Sequence, residues 1–240
     1  MTLSFVAHRI MGDRVTIIHA VSAAVPHAAT ERVKAYAARE GWTLRILDAG
    51  EFGDENYMTN PANRCFFCKS NLYGTLFRVA GGAQLFSGTN VDDLGDWRPG
   101  LKAADDYQVR HPFVEANLTK ADVRALASSH GLDDIAEMPS APCLSSRIET
   151  GIRIDVDALA AIEKVEAMLA DRLNPGTLRC RVRFDGIVIE LDEATLGRLS
   201  EPMRGELAHD IRAAFAHMPS ATVAYQTYAR GSAFLKDTLK

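Results

Sequence analysis

The sequence predicts an α/β chain in two parts, a parallel sheet covered by helices and then a smaller α+β domain. Three observations predict it. Short β-rich apolar runs alternate with amphipathic helical stretches through the first half, as in a parallel sheet with helices on both faces. An Asp185-Gly186 pair stands between two alternating strands, a strong short-range hairpin signal. The second half reads β-α-β-β-α-β, an order that suggests a small α+β unit.

The elements follow in order. Residues 2–11 are expected to be helical, and Val15–Val21 is an apolar run of strand length. Residues 28–40 are expected to form a helix closed by Gly41, and 42–47 a second strand. Residues 65–80 read as a helix and 84–87 as a third strand. Thr119-Lys120-Ala121-Asp122 opens a helix over 119–130 as a capping box with Asp in place of Glu. A short strand near 152–154 precedes a helix at 155–172, with Val156, Leu159, Ile162, Val165 and Leu169 on one face. The hairpin follows, then a helix at about 202–217 and a strand at about 221–227. Pro139, Pro142 and Gly151 interrupt the periodicity between 140 and 152, which places the domains at 1–145 and 146–240.

Composition narrows the function. The 240 residues are 47% hydrophobic and 24% charged, an ordinary soluble balance. No apolar run reaches the roughly 18 residues of a membrane span, and the first residues lack the basic start and apolar core of a signal peptide. The chain is therefore expected in the cytoplasm, away from membranes. A net charge of −4 argues against binding nucleic acid through its phosphates.

In the hairpin, a two-residue Asp185-Gly186 loop pairs Phe184 with Ile187, 183 with 188, 181 with 190 and 179 with 192. Cys180, Val182, Phe184, Ile187, Ile189 and Leu191 then share the core face, which makes Cys180 an inert packing thiol. Arg179, Arg181 and Arg183 share the other face, with Asp192, Glu190 and Val188 opposite. Two readings compete: cross-strand ion pairs on a solvated surface, or an anion site, since Arg183 has no acid opposite it.

Cys65 and Cys68, in Arg64-Cys65-Phe66-Phe67-Cys68-Lys69, stand three apart at a helix start. They suit a redox dithiol, half a zinc site, part of an iron–sulfur site, or plain packing. Gly88-Thr89-Asn90-Val91-Asp92-Asp93 follows a predicted strand, where open α/β sheets bind ligands. Its aspartates suit Mg²⁺ beside phosphates, or the segment is a polar turn. Cys143 lies in a Pro-rich loop with Arg147 four residues later, as a nucleophile or sulfur donor would, or as an incidental loop cysteine. The scattered His8, His19, His27, His111, His130, His209 and His217 form no metal-spaced pair and read as surface or core residues.

Several segments together resemble one family. These are Asn60-Pro-Ala-Asn-Arg-Cys-Phe-Phe-Cys-Lys69, Gly88-Thr-Asn-Val-Asp-Asp-Leu-Gly-Asp-Trp-Arg-Pro-Gly-Leu-Lys102, Leu118-Thr-Lys-Ala121, Pro139-Ser-Ala-Pro-Cys-Leu-Ser-Ser-Arg147 and Arg181-Val-Arg183. In this order they are similar to LarE-type, PP-loop ATP pyrophosphatase-like sulfur transferases of nickel-pincer nucleotide cofactor synthesis. The resemblance implies a Rossmann-like PP-loop domain followed by a small α/β domain. It implies adenylylation of a substrate carboxylate with ATP and Mg²⁺, then attack by a cysteine that gives up its own sulfur and becomes dehydroalanine. Cys143 matches that cysteine. Arg98, Arg147, Arg181 and Arg183 are implied to hold substrate or pyrophosphate, with Glu190 orienting Arg181. Ala20, Ser22, Gly88, Thr89, Asn90 and Asp92 are implied nucleotide contacts. Some family members hold a [4Fe–4S] cluster on three cysteines, here Cys65, Cys68 and Cys143. A homo-oligomer is expected, with residues 228–240 at a contact.

The chain departs from the family pattern in one respect. It carries no S-G-G-x-D-S segment and opens as though inside the helix that follows it. The family's phosphate loop and central strand are therefore expected to be missing. Alternative functions are another PP-loop activity, such as tRNA thiolation or amide formation, or a non-catalytic iron–sulfur or metal-binding homologue.

Overall fold

Two units share the chain in the computed structural model, which describes residues 1–95, 98–139 and 141–234. One comprises Met1–Tyr57 and Asn63–Ala141, the other Met58–Ala62 and Pro142–Lys240. Asp96, Trp97, Ser140 and the end of the 228–240 stretch lie outside the described residues.

The first unit begins with α1 (Thr2–Met11), β1 (Thr16–Val21), α2 (His27–Glu40) and β2 (Thr43–Asp48). Gly41 ends α2 at φ 69°, and the Trp42 amide returns to the Ala37 carbonyl at 2.9 Å, so the glycine supplies the left-handed residue the turn needs. β1 and β2 pair in parallel, Thr16 beside Thr43 through Val21 beside Asp48. Phe5, Tyr36, Trp42, Ala127 and Leu132 form one buried cluster, joined by the partly buried Ile17 and Leu44.

Then come α3 (Glu55–Met58), α4 (Arg64–Val79), α5 (Gly100–Asp106), α6 (Pro112–Glu115), α7 (Lys120–Ser129) and α8 (Asp133–Ala136). The capping box of α7 forms with Asp in its third position: Thr119 accepts from the Asp122 amide at 3.2 Å and Asp122 from the Thr119 amide at 2.9 Å. A methyl on Gly100 would lie 2.8 Å from Lys69 Cγ, so α5 meets α4 through a residue without a side chain. The expected strand at 84–87 is a single parallel bridge, Phe86 to Arg110. Among the described residues this sheet therefore has two strands, and Ile46 on β2 is 44% exposed.

The second unit contains α9 (Val156–Leu173), β3 (Leu178–Arg183), β4 (Gly186–Leu191), α10 (Glu193–Gly197), α11 (Glu201–Ala214) and β5 (Val223–Thr227). Its sheet runs β3-β4-β5, with β4 antiparallel to β3 and parallel to β5. No strand forms at 152–154; the segment before it makes one parallel bridge, Ile148 to Val182. α9 buries Leu159, Ile162, Val165 and Leu169, while Val156, in its first turn, stays exposed.

The hairpin register differs from expectation by two residues. Arg183 stands opposite Gly186, Arg181 opposite Val188 and Arg179 opposite Glu190, so Phe184-Asp185 is the turn and Gly186 the first residue of β4. Because side chains alternate with period two, a two-residue slip leaves each on its expected face. Phe184 is the exception: it sits in the turn and is 72% exposed. Cys180 is fully buried, and burial pushes its thiol well above the usual range.

Together these elements make an α/β fold with a parallel two-stranded sheet in one unit and a mixed three-stranded sheet in the other. No helix among the described residues is long and apolar enough to cross a membrane.

Candidate functional site

The second unit gathers five of the expected site residues into one network. Cys143, partly exposed, precedes a 3₁₀ turn at Leu144–Arg147. Its carbonyl oxygen accepts from the Ser146 amide at 3.0 Å, the Ser146 hydroxyl at 2.7 Å and Arg147 Nη1 at 3.2 Å. Arg147 Nη1 also donates to the Pro142 carbonyl at 2.7 Å and to Ser146 Oγ at 3.1 Å. Its Nε and Nη2 reach Glu166 Oε1 and Oε2, both at 2.9 Å. This is the bidentate fork that a guanidinium and a carboxylate form best. Glu166 Oε1 accepts in addition from the Cys180 amide at 2.9 Å. One α9 carboxylate therefore ties the Cys143 loop to β3.

A second buried pair continues the network. Arg181 donates to the Ser146 carbonyl at 2.9 Å and pairs with Glu190 Oε2 at 3.0 Å. Glu190 Oε1 receives Arg183 Nη2 at 2.8 Å, Gln226 Nε2 at 3.1 Å and the Ser232 hydroxyl at 2.5 Å. Glu190 is fully buried and Arg181 4% exposed. The arginine face is therefore not a solvated one: the Ser146 carbonyl, the Gln226 side chain of the neighbouring β5 and the Ser232 hydroxyl all meet its charged groups. Arg183 also has an acidic partner, Glu190, four residues along β4 from the Gly186 that stands directly across. Its Nε is buried and, among the described residues, meets no acceptor.

Four arginines, at 147, 179, 181 and 183, stand around two glutamates here. Burial first, and then the nearby Arg147 and Arg181 charges, hold the Arg179 guanidinium below its usual range. A cavity of about 310 Å³ opens between the hairpin tip at Arg183–Gly186 and Met218–Ala221.

The first unit carries the remaining candidates. Ala20 is the penultimate residue of β1, at its carboxyl end, and Ser22 just beyond the strand accepts from the Ala24 amide at 3.3 Å. Past the Phe86 bridge, Ser87 Oγ bonds Thr89 Oγ1 at 3.0 Å and His111 Nδ1 at 2.8 Å. Asn90 and Asp93 form a capping box around the turn Val91–Leu94. Asp93 also pairs with Arg98 at 2.7 Å, and Asp92 Oδ2 accepts from the Lys120 amide at 2.7 Å. Cys65 and Cys68 occupy the start of α4, both partly exposed. Cys143 belongs to the other unit, and among the described residues neither unit gathers three His, Cys, Asp or Glu side chains into a metal-holding group.

Sequence reasoning missed Ser146, Glu166, Gln226 and Ser232. Glu166 left one trace, an acid beside Val165 and one turn after Ile162 on the buried side of α9. The other three are short polar residues with no distinguishing pattern.

No protein-family model matches the chain. An uncharacterized protein of Synechocystis is 35% identical over 189 residues, 78% of this chain and 70% of that one. The pyridinium-3,5-bisthiocarboxylic acid mononucleotide synthase of Lactiplantibacillus plantarum is 30% identical over 188 residues, 77% of this chain and 67% of that one. An uncharacterized protein of Methanocaldococcus jannaschii is 28% identical over 142 residues, 58% of this chain and 55% of that one.

Proposed function

We propose a sulfur-transfer function from one premise: this chain belongs to the LarE-type family, that of the pyridinium-3,5-bisthiocarboxylic acid mononucleotide synthase. In this reading it is an ATP-dependent sulfur transferase that converts a carboxylate of a pyridinium mononucleotide into a thiocarboxylate. The first unit is of PP-loop type and meets the nucleotide through Ala20, Ser22 and the Gly88–Asp92 loop. A carboxylate is a poor electrophile, so the substrate oxygen attacks the α-phosphorus of ATP·Mg²⁺ and pyrophosphate leaves. Cys143 Sγ attacks the acyl adenylate and AMP leaves. Cleavage of the Cys143 Cβ–Sγ bond then leaves sulfur on the substrate and dehydroalanine in the protein.

The observation that carries this reading is the buried arginine–glutamate network beneath the Cys143 loop. It suits a doubly charged anion, because several guanidinium groups converge there and, among the described residues, Arg183 keeps a buried Nε that meets no acceptor. Arg147 and Arg181 are already committed to the loop and to Glu166 and Glu190, so in this reading they position Cys143 and Arg183 touches substrate. Cys65 and Cys68 lie in one unit and Cys143 in the other, and no step in this reading proceeds through a cluster.

The test is incubation with ATP, Mg²⁺ and a pyridinium dicarboxylate mononucleotide, read as pyrophosphate release, thiocarboxylate product and loss of one H₂S at residue 143 by mass spectrometry. Cys143→Ala is expected to abolish thiocarboxylate formation. Product formation that persists in that variant sinks the reading.

A further inference from the structure

The Cys143 carbonyl has more donors than its turn requires. A 3₁₀ turn supplies one amide to that oxygen, and here it is Ser146 N at 3.0 Å. Two side-chain donors are added, Ser146 Oγ at 2.7 Å and the cationic Arg147 Nη1 at 3.2 Å. Arg147 donates to Ser146 Oγ as well, at 3.1 Å, which makes the hydroxyl a stronger donor. Ser146 and Arg147 are 6% and 4% exposed, so these donors act with little competition from water.

Loss of sulfur from a cysteine by elimination places charge on that same oxygen. Removing the Cα proton puts an electron pair on carbon, which delocalises into the residue's own carbonyl. We infer that Ser146 and Arg147 form an oxyanion hole for the Cys143 carbonyl, so that the loop promotes breaking of the Cβ–Sγ bond as well as presenting the thiol. The inference rests on the sulfur-transfer reading above. Hydroxide from solvent takes the Cα proton and becomes water. The Cα–H electron pair becomes the Cα–Cβ double bond. The Cβ–Sγ pair leaves with sulfur as the substrate thiocarboxylate. Ser146 and Arg147 are catalytic residues in this step, because they touch the atom that gains charge. Glu166, which holds Arg147 through two 2.9 Å bonds, is a positioning residue. Donors fixed in advance on a developing oxyanion are among the larger contributions to catalysis.

The elimination is tested without ATP or substrate. The accessible thiols of the intact protein are cyanylated, so that thiocyanate is the leaving group at Cys65, Cys68 and Cys143 alike. Dehydroalanine formation at each is followed by peptide mass spectrometry under mildly alkaline, non-denaturing conditions. Cys143 is expected to eliminate at least about tenfold faster than Cys65 and Cys68, and to lose that advantage in denaturant. Ser146→Ala is expected to slow it by roughly tenfold to a hundredfold, since one oxyanion donor contributes about that much or more. Ser146→Thr, which keeps the hydroxyl, restores the rate. Equal rates at the three cysteines overturn the inference without any variant needing to fold, as does an unchanged Cys143 rate in Ser146→Ala. A fast elimination at Cys143 in a protein that transfers no sulfur overturns the sulfur-transfer reading alone. Sulfur transfer without the elimination advantage overturns this inference alone.

Discussion

Glu190 is fully buried, yet donors surround it. Two guanidinium groups, an amide and a hydroxyl converge on its two oxygens. Such a group contributes little net stability while its partners are present, but removing it leaves their charges stranded. Glu190→Ala is therefore expected to destabilise the second unit by about 3–5 kcal/mol, read as a lowered denaturant midpoint. Asp192 is a different kind of acid. It caps α10, accepting from the Thr195 amide at 2.9 Å and the Thr177 amide at 3.1 Å. These bonds hold its carboxyl down at about 2. A depressed carboxyl pKa stabilises the fold above the unfolded value, roughly 4, and that stabilisation is lost as pH falls toward about 2. The melting-temperature gap between the wild type and Asp192→Asn should be full at neutral pH and close across that window. A gap independent of pH would contradict this assignment.

At the scale of elements, the hairpin shows what a local pattern contains. Alternation put Arg179, Arg181 and Arg183 on one face and Cys180 on the other, and a two-residue slip could not undo that. Asp-Gly suggested the turn, but Gly186 serves another purpose. It lies at φ 133°, and a methyl there would sit 2.6 Å from the Thr222 carbonyl oxygen. The Thr222 hydroxyl donates to the Asp185 carbonyl at 2.7 Å, and the Ile187 amide to the Thr222 carbonyl at 2.8 Å. The glycine thus marks where β4 meets the entry to β5, a contact 36 residues away that no hairpin rule sees. Gly186→Ala should cost about 3 kcal/mol by overpacking and strained φ, with faster hydrogen exchange at Ile187 and unchanged exchange in β1. The site was legible to a similar depth. Cys143, Arg147, Arg181, Arg183 and Glu190 stand in recognisable segments. The burial of that face was not legible, because Ser146, Gln226 and Ser232 reach it only through tertiary folding.

Across the whole molecule, the chain visits the second unit twice. Met58–Ala62 leaves the first unit and packs with residues that come about 90 positions later. Asn60 makes this possible. It is fully buried at φ 55°, a left-handed conformation that asparagine tolerates better than most residues. Its side-chain amide donates to the Glu149 carbonyl at 2.8 Å and the Ile152 carbonyl at 2.9 Å, and its own carbonyl accepts from the Gly151 amide at 2.9 Å. Met58 adds a bond from the Ile154 amide at 2.8 Å. The segment that follows the Cys143 turn is thus held by a residue 89 to 92 positions earlier. Asn60→Gly keeps the backbone conformation but removes the side-chain donors, taking from the part-buried Ile152 carbonyl its 2.9 Å bond at a cost of about 1–3 kcal/mol. Hydrogen exchange at Gly151 and Ile154 should then accelerate, with β1 and β2 amides unchanged, because Asn60 belongs to the second unit's folding. Acceleration confined to β1 and β2 would place Asn60 with the first unit instead.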